Sequence, residues 1–286
     1  MHNENLKYLK DNIKYMGFGE SLFPELEQQM QAGPADFRLR LENEFNREKL
    51  SASLYFRKSE VSGYYFFNRY EASLERQGHT QKSRIFYLDA GRGVTAKEAY
   101  NLLSGRAVYL TMKTNEGSEY HAWVQLDFSQ KDKAGNFKMK QYHDNYGYQL
   151  AAVLTAYPIK EMQQDDMKNR LIQSLQKGNL QAVMLQGGER EQRGFLEANP
   201  RFKSLKVFDQ DLNQFTMKEL VEIFSVRLLS KTQSADLVKA ADAGEAQAEG
   251  PVNGNTKKKE IAKVQKEETG SLIQIKKARH KKGLGV

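Results

Sequence analysis

Residues 95–142 constrain the fold more than any other stretch, because they spell a helix, its stop and a three-stranded antiparallel meander in a single run. Thr95-Ala-Lys-Glu98 is a capping box, in which the threonine hydroxyl and the glutamate carboxylate each satisfy a free backbone N–H of a first helical turn. Ala99, Leu102 and Leu103 follow at helical spacing, and Gly105 stands where the chain must leave the helix through positive φ. Val108, Leu110 and Met112 then alternate with Ala107, Tyr109 and Thr111, the period of a strand. After the turn residues Asn115-Glu-Gly117, Tyr120, Ala122, Val124, Leu126 and Phe128 alternate with His121, Trp123, Gln125 and Asp127. A second turn over 131–136 leads to Phe137 and Met139 on one side and Lys138 and Lys140 on the other. A turn centred near Glu116 makes Tyr109 and Trp123 cross-strand partners, a pairing that a one-residue slip would undo. One face then carries Tyr109, His121, Trp123, Lys138 and Lys140.

The same grammar appears before and after this stretch. Leu6, Leu9, Ile13 and Met16 predict a helix ended by Gly17-Phe-Gly19, and Leu22, Leu26 and Met30 a second, ended by Gly33 and Pro34. Phe37, Leu39 and Leu41 alternate with Arg38, Arg40 and Glu42; Leu50, Ala52, Leu54 and Phe56 alternate with Ser51, Ser53, Tyr55 and Arg57. Two antiparallel strands joined near 46–48 result. The run 64–70 is aromatic on both faces and predicts a strand that is central or covered on both sides, and 85–88 closes the meander after a turn at Gln77 and Gly78. Leu150, Val153, Leu154 and Tyr157 form one helical stripe ended by Pro158. A third unit opens at Asp165 or Asp166, stops its helix at Gly178 and continues into strands around Val183 and Leu185, 195–198 and 205–208. Gly105 and Gly178 lie 73 residues apart in equivalent places, which a duplication explains and a chance succession of helix, glycine and strand also produces. Thr216-Met-Lys-Glu219 is a second capping box, opening a helix to about residue 230 that is apolar round most of its circumference. The expected architecture is α+β, built from helix-plus-meander units at 1–93, 94–158 and 159–230, with 231–286 a disordered basic tail too poor in apolar residues to offset its ordering entropy.

The chain has 286 residues, 39% of them hydrophobic, enough for a sizeable core. Nothing in it approaches the roughly 20 apolar residues of a membrane span, and no export signal is read at the start, so a soluble, cytoplasmic protein with no membrane partner is expected. The absence of cysteine excludes disulfides, zinc–thiolate sites and a thiol nucleophile. Of the formal charge of +8, residues 255–286 hold ten Lys or Arg against three Glu, so +7 belongs to the tail and +1 to the rest.

The chain has no phosphate-binding glycine loop, no dinucleotide fingerprint, no His-Glu-x-x-His and no Gly-x-Ser-x-Gly. Its five histidines, His2, His79, His121, His143 and His280, are never spaced as metal ligands on one element. The expectation is a non-enzymatic protein with no metal and no cofactor, which works through surfaces. Tyr109 and Trp123 beside Lys138 and Lys140 supply stacking area and cations, the ingredients of sequence-tolerant single-strand binding. The same face, covered by a helix, would instead bury Trp123. Arg38, Arg40, Tyr55, Arg57 and Arg69 form a similar field on the first meander. In the tail, Lys257, Lys258 and Lys259 and the cluster Lys276, Lys277, Arg279, Lys281 and Lys282 can neutralise phosphates, or serve only solubility.

The segments Tyr65-Phe-Phe-Asn-Arg-Tyr70, Ala99-Tyr-Asn-Leu-Leu-Ser-Gly105, Ala122-Trp-Val-Gln-Leu-Asp127 and Glu197-Ala-Asn-Pro-Arg-Phe202, with the end Lys281-Lys-Gly-Leu-Gly-Val286, resemble a protein family encoded by Bacteroidetes genomes, often near genes of mobile, conjugative elements. The resemblance covers about residues 1–230 and the extreme end, and the family's motifs carry no assigned activity, so no site residue follows from it. It implies a bacterial accessory protein connected with DNA transfer or maintenance. The expected function is contact with DNA or RNA, non-specific and salt-sensitive, through the tail and a sheet face. The alternative is a protein-interaction module that uses sheet edges and the helix at 216–230.

Overall fold

The computed structural model describes residues 2–45, 48–76, 80–187 and 190–224. Among these, six α-helices and three antiparallel sheets give the expected α+β fold. Helices α1 (Asn3–Tyr15) and α2 (Phe23–Ala32) precede a four-stranded meander of β1 (Asp36–Phe45), β2 (Glu48–Lys58), β3 (Tyr65–Arg76) and β4 (Lys82–Tyr87). Helix α3 (Ala96–Leu103) opens the second meander, β5 (Val108–Lys113), β6 (Glu119–Lys131) and β7 (Phe137–His143). After the short α4 (Leu150–Leu154), α5 (Asp165–Gln176) opens the third, β8 (Gln181–Gly187), β9 (Arg190–Asn199) and β10 (Ser204–Phe208), and α6 (Met217–Phe224) follows it.

Local chemistry sets these boundaries. Both capping boxes form: Thr95 N–H donates to Glu98 Oε2 at 2.8 Å, and Thr216 N–H donates to Glu219 Oε2 at 2.7 Å. In all three units the glycine after the helix, Gly33, Gly105 or Gly178, adopts the left-handed φ that a side chain resists. Gly33 precedes Gly105 by 72 residues, nearly the interval between Gly105 and Gly178, so the glycine stop recurs in step through all three units.

The strands are in the expected places, with register shifts in two pairs, β6–β7 between Asp127 and Lys131 and β2–β3. Between Tyr55 and Phe56 the β2–β3 register shifts, and Asn68 is the extra residue of a bulge. The bulge turns both Phe67 and Tyr70 into the core and leaves Asn68 and Arg69 exposed side by side. It also explains the two-faced aromatic run. The strand is central, as one of the two expected readings has it, but its second face is not covered by any described element. Helix α4 is shorter than its stripe suggests; Tyr157 is buried beyond its end, after a tighter turn in which its N–H donates to Leu154 O. On α6 only Leu220 and Phe224 are buried while Val221 is 42% exposed, so its apolar girdle buries one stripe. Residues 225–230 of the expected helix and the whole of 231–286 lie outside the described residues, as does the expected turn at Gln77 and Gly78.

The apolar residues form two clusters separated by the second sheet. The first gathers Leu9 and Ile13 of α1, Leu26 of α2, the inner face of the first sheet, Leu102 and Leu103 of α3, and Val108, Val124, Leu126 and Phe137 from one face of the second sheet. The second joins Trp123, from that sheet's other face, to Leu154 of α4, Leu171 and Leu175 of α5, Val183, Leu196 and Val207 of the third sheet, and Phe224 of α6. The three units thus follow the sheets and not the cores: α3 opens the second unit yet fills the first cluster.

Polar contacts lock neighbouring units together. Asn101 of α3 is fully buried; its Nδ2 donates to Lys177 O at 2.6 Å and to Asn179 Oδ1 at 3.0 Å, at the end of α5. Arg106 Nε donates to Gly178 O at 2.9 Å and its Nη2 to Asn101 Oδ1 at 2.7 Å. Carbonyls left free by the end of α5 are satisfied here by the preceding unit. A Cβ on Gly178 would stand 2.7 Å from Ala107 O and 2.8 Å from Val108 Cγ2, so only glycine permits this approach. The outer edge of β4 meets the second unit at one point: Ile85 N–H donates to Asn136 Oδ1 at 2.8 Å, and beside it the Arg84 guanidinium donates to Phe137 O.

Replacing Asn101 by Ala strands buried partners at this junction and is expected to lower stability by about 1 to 3 kcal/mol. The exposed Asn145→Ala serves as control and should stay within about 0.5 kcal/mol of the parent. Urea unfolding midpoints of the two variants check this.

Candidate nucleic-acid interface

The second sheet has the expected register but does not offer the expected platform. Tyr109 does pair with Trp123, and their ring centroids are 5.3 Å apart. Trp123, however, is only 3% exposed, with Tyr148 edge-on at 5.4 Å. Tyr148, Leu150, Val153 and Leu154, which follow the meander directly, belong to the same cluster and cover the aromatic end of the face. The expectation of an open Tyr109–Trp123 stacking surface is therefore corrected: rings this large in one row recruit the next apolar segment of the chain. Tyr109 remains half-buried and donates its hydroxyl to Asp144 Oδ1 at 3.1 Å.

The two lysines of the expected site differ in what holds them. Lys138 is exposed and donates to Gln130 Oε1 at 3.2 Å. Its register partner is Asp127, but the ion pair to Asp127 is made diagonally by Lys140, at 2.8 Å. Burial pushes the Asp127 carboxyl up; the Lys140 ammonium and the Ser129 hydroxyl and N–H outweigh it and hold the group at about 2. Lys140 is thus engaged inside the sheet and is not a spare cation for phosphate. Lys257, Lys258, Lys259, Lys276, Lys277, Arg279, Lys281 and Lys282 lie outside the described residues.

The field on the first meander is where the structure gathers side chains. Across its four strands, Arg38, Tyr55, Arg69 and Tyr87 stand in one row. The row on one side holds Asp36, Arg57 and Phe66; the row on the other holds Arg40, Ser53, Glu71 and Ile85. Strand spacing makes such a row roughly 14 Å wide. Arg38, Arg40, Arg57 and Arg69 are exposed, and Tyr87 is 51% exposed. The Arg69 guanidinium lies 4.8 Å from the Tyr55 ring centroid, a cation–π contact across the strand pair. Among the described residues no ion pair joins any of these four arginines to a carboxylate. The far end of the face has the opposite sign, with Glu42, Glu44 and Glu75 around Lys49, which pairs with Glu42 at 2.8 Å.

Phe66 and Tyr87 are the members that the sequence pattern misses. Phe66 is hidden in the aromatic run until the bulge assigns its face, and Tyr87 needs the β3–β4 register to join the row. Chemically, the arrangement supplies guanidinium forks that match phosphate geometry beside rings on which planar groups can stack. His121 and His143 do not extend it: His121 Nδ1 meets Thr111 Oγ1 at 3.1 Å, and His143 lies 5.3 Å from the Tyr120 ring. Among the described residues no group of three or more His, Asp or Glu is placed to hold a metal ion, and no helix is long and apolar enough to cross a membrane.

No family model, no curated protein and no solved structure matches the chain.

Because the folded-state Asp127 carboxyl is held below the ordinary 3.8, its stabilising effect is complete above about pH 4 and is lost as pH falls towards 2. Asp127→Asn is expected to cost about 1 to 2 kcal/mol at pH 7, solvent screening at the half-exposed Lys140 included, and to converge on the parent near pH 2. Denaturation curves across that range check the sign.

Proposed function

We propose that this protein is a non-catalytic binder of single-stranded nucleic acid that serves a bacterial mobile element, with the open face of the first sheet as its docking surface. The observation that carries the reading is the row Arg38–Tyr55–Arg69–Tyr87, flanked by Arg40, Arg57 and Phe66, on a face that no described element covers. Guanidinium groups without carboxylate partners retain their charge for an incoming anion, and rings between them add stacking that tolerates any base. The combination favours single strands over duplex, whose bases are already stacked on each other. The lysines at 257–259 and the cations at 276–282 add a sequence-independent phosphate attraction to the same chain. The resemblance of residues 65–70, 99–105, 122–127 and 197–202 to proteins encoded near conjugative elements suggests transfer or maintenance DNA as the nucleic acid involved.

Fluorescence anisotropy with labelled oligo-dT and the full-length chain tests this. With four arginines on phosphates, log affinity should fall with log salt at a slope of about −3 from the sheet alone, steeper with the tail. Tyr55→Ala should weaken binding by roughly 1 to 3 kcal/mol if one base stacks there. The triple variant Arg38→Ala, Arg57→Ala, Arg69→Ala should weaken it at least about ten-fold while a chain lacking 231–286 keeps the remainder. No binding by the full-length chain at low salt removes the reading; binding that the tail deletion abolishes and the triple variant leaves intact moves the site off the sheet.

A further inference from the structure

The free edge of β1 carries a charge order that suits a second copy of itself. Lys58 N–H donates to Ala35 O at 2.8 Å, so Ala35 turns its backbone polar groups towards β2. By the alternation of an antiparallel ladder, so do Phe37, Leu39 and Leu41. The N–H and C=O groups of Asp36, Arg38, Arg40, Glu42 and Glu44 then point away from β2, along an edge that pairs with no strand among the described residues. The side chains of these residues lie on the open face of the sheet and read, along the edge, Arg38, Arg40, Glu42, Glu44.

We infer that two copies of this chain pair antiparallel along β1, about a two-fold axis between their Leu41 residues. That register sets Arg38 opposite Glu44 of the second copy and Arg40 opposite its Glu42, and symmetry repeats both pairs. Each of the four pairs exchanges two backbone hydrogen bonds, and unlike charges face each other at every one of them. The neighbouring registers that keep side chains on the same face are disfavoured. A shift of two one way puts Arg40 against Arg40 and Asp36 against Glu44; the other way puts Glu42 against Glu42. Parallel pairing of the same edge turns the second copy over, so the charged face of one copy would run on into the apolar face of the other. Charges on an edge strand ordinarily keep it from pairing. Here their order, two positive and then two negative, removes that protection in one register and keeps it in the others. On the buried side, Leu41 meets its copy and extends the apolar inner face across the axis. The result is an eight-stranded sheet whose open face carries two copies of the Arg57–Arg69–Tyr55–Tyr87 field. Arg38 and Arg40 would be shared between glutamates and any bound phosphate. The inference does not depend on nucleic-acid binding and is tested without it.

Sedimentation equilibrium of the full-length chain is expected to show a dimer. The double variants Arg38→Glu/Arg40→Glu and Glu42→Arg/Glu44→Arg, which place like charges opposite one another, should each lose at least ten-fold in self-affinity. An equimolar mixture of the two should recover the pair as a heterodimer, since every cross-edge contact becomes unlike again. A readout that needs no variant is amide hydrogen exchange: the N–H groups of Arg38, Arg40, Glu42 and Glu44 should exchange more slowly as protein concentration rises through the dimer range. A chain that sediments alone at every concentration overturns the proposal. So does a dimer that both variants keep, a dimer whose β1 amides exchange at unchanged rate, or a monomer that pairs only after 225–286 are removed, which would put the tail on this edge.

Discussion

The arrangement depends on a three-stranded sheet with apolar surface on both sides. Val108, Val124 and Leu126 face one way from β5 and β6, and Trp123 with Tyr109 and Tyr142 the other. Neither set can be left in water without losing roughly 25 cal/mol for each Å² of apolar area exposed. The first face is closed by α3 and the helices and sheet of the N-terminal part, the second by 148–157 and the third meander. The sheet therefore acts as a wall common to two cores, and the outer parts of the chain are held in place because each completes one side of it. Asn101 of α3 and Arg106 just after it bond the end of α5 and tie the last unit to that wall.

What was legible in the sequence follows from how local each cause is. Capping boxes at Thr95 and Thr216, the glycine stops and the Tyr109–Trp123 register all arise from residues within one turn or one hairpin, and each is where the pattern places it. Alternation along β1 and β2 likewise gave the charged face and the core face correctly. The fate of Trp123 was not legible, because its cover comes from a segment whose own helix is only five residues long and whose docking is a tertiary choice. The run 64–70 was ambiguous for a different reason. One added residue, Asn68, changes which aromatic side chains face inward, and no periodicity can announce a single insertion.

The contrast between the first two sheets shows how one kind of surface becomes core and another stays open. Both present aromatic residues next to cations on one face. In the second sheet the aromatics share a row with one another, Tyr109, Trp123 and Tyr142, and form a continuous apolar patch that the following chain covers. In the first they alternate with guanidinium groups, Arg38, Tyr55, Arg69 and Tyr87, so covering the row would strand several charges without water. Interleaving keeps the face wet.

The two margins of the first sheet are not equivalent. On the β4 side the Asn136 side chain takes the Ile85 N–H that another strand would need, while the β1 side has no such plug among the described residues. A sheet open at both margins has a valence of two and can grow into a ribbon without end. Sealed on one, it has a valence of one, and a single symmetric union exhausts it. A partner that joins at β1 finds the other margin of this sheet already engaged by Asn136, a contact made within the fold itself.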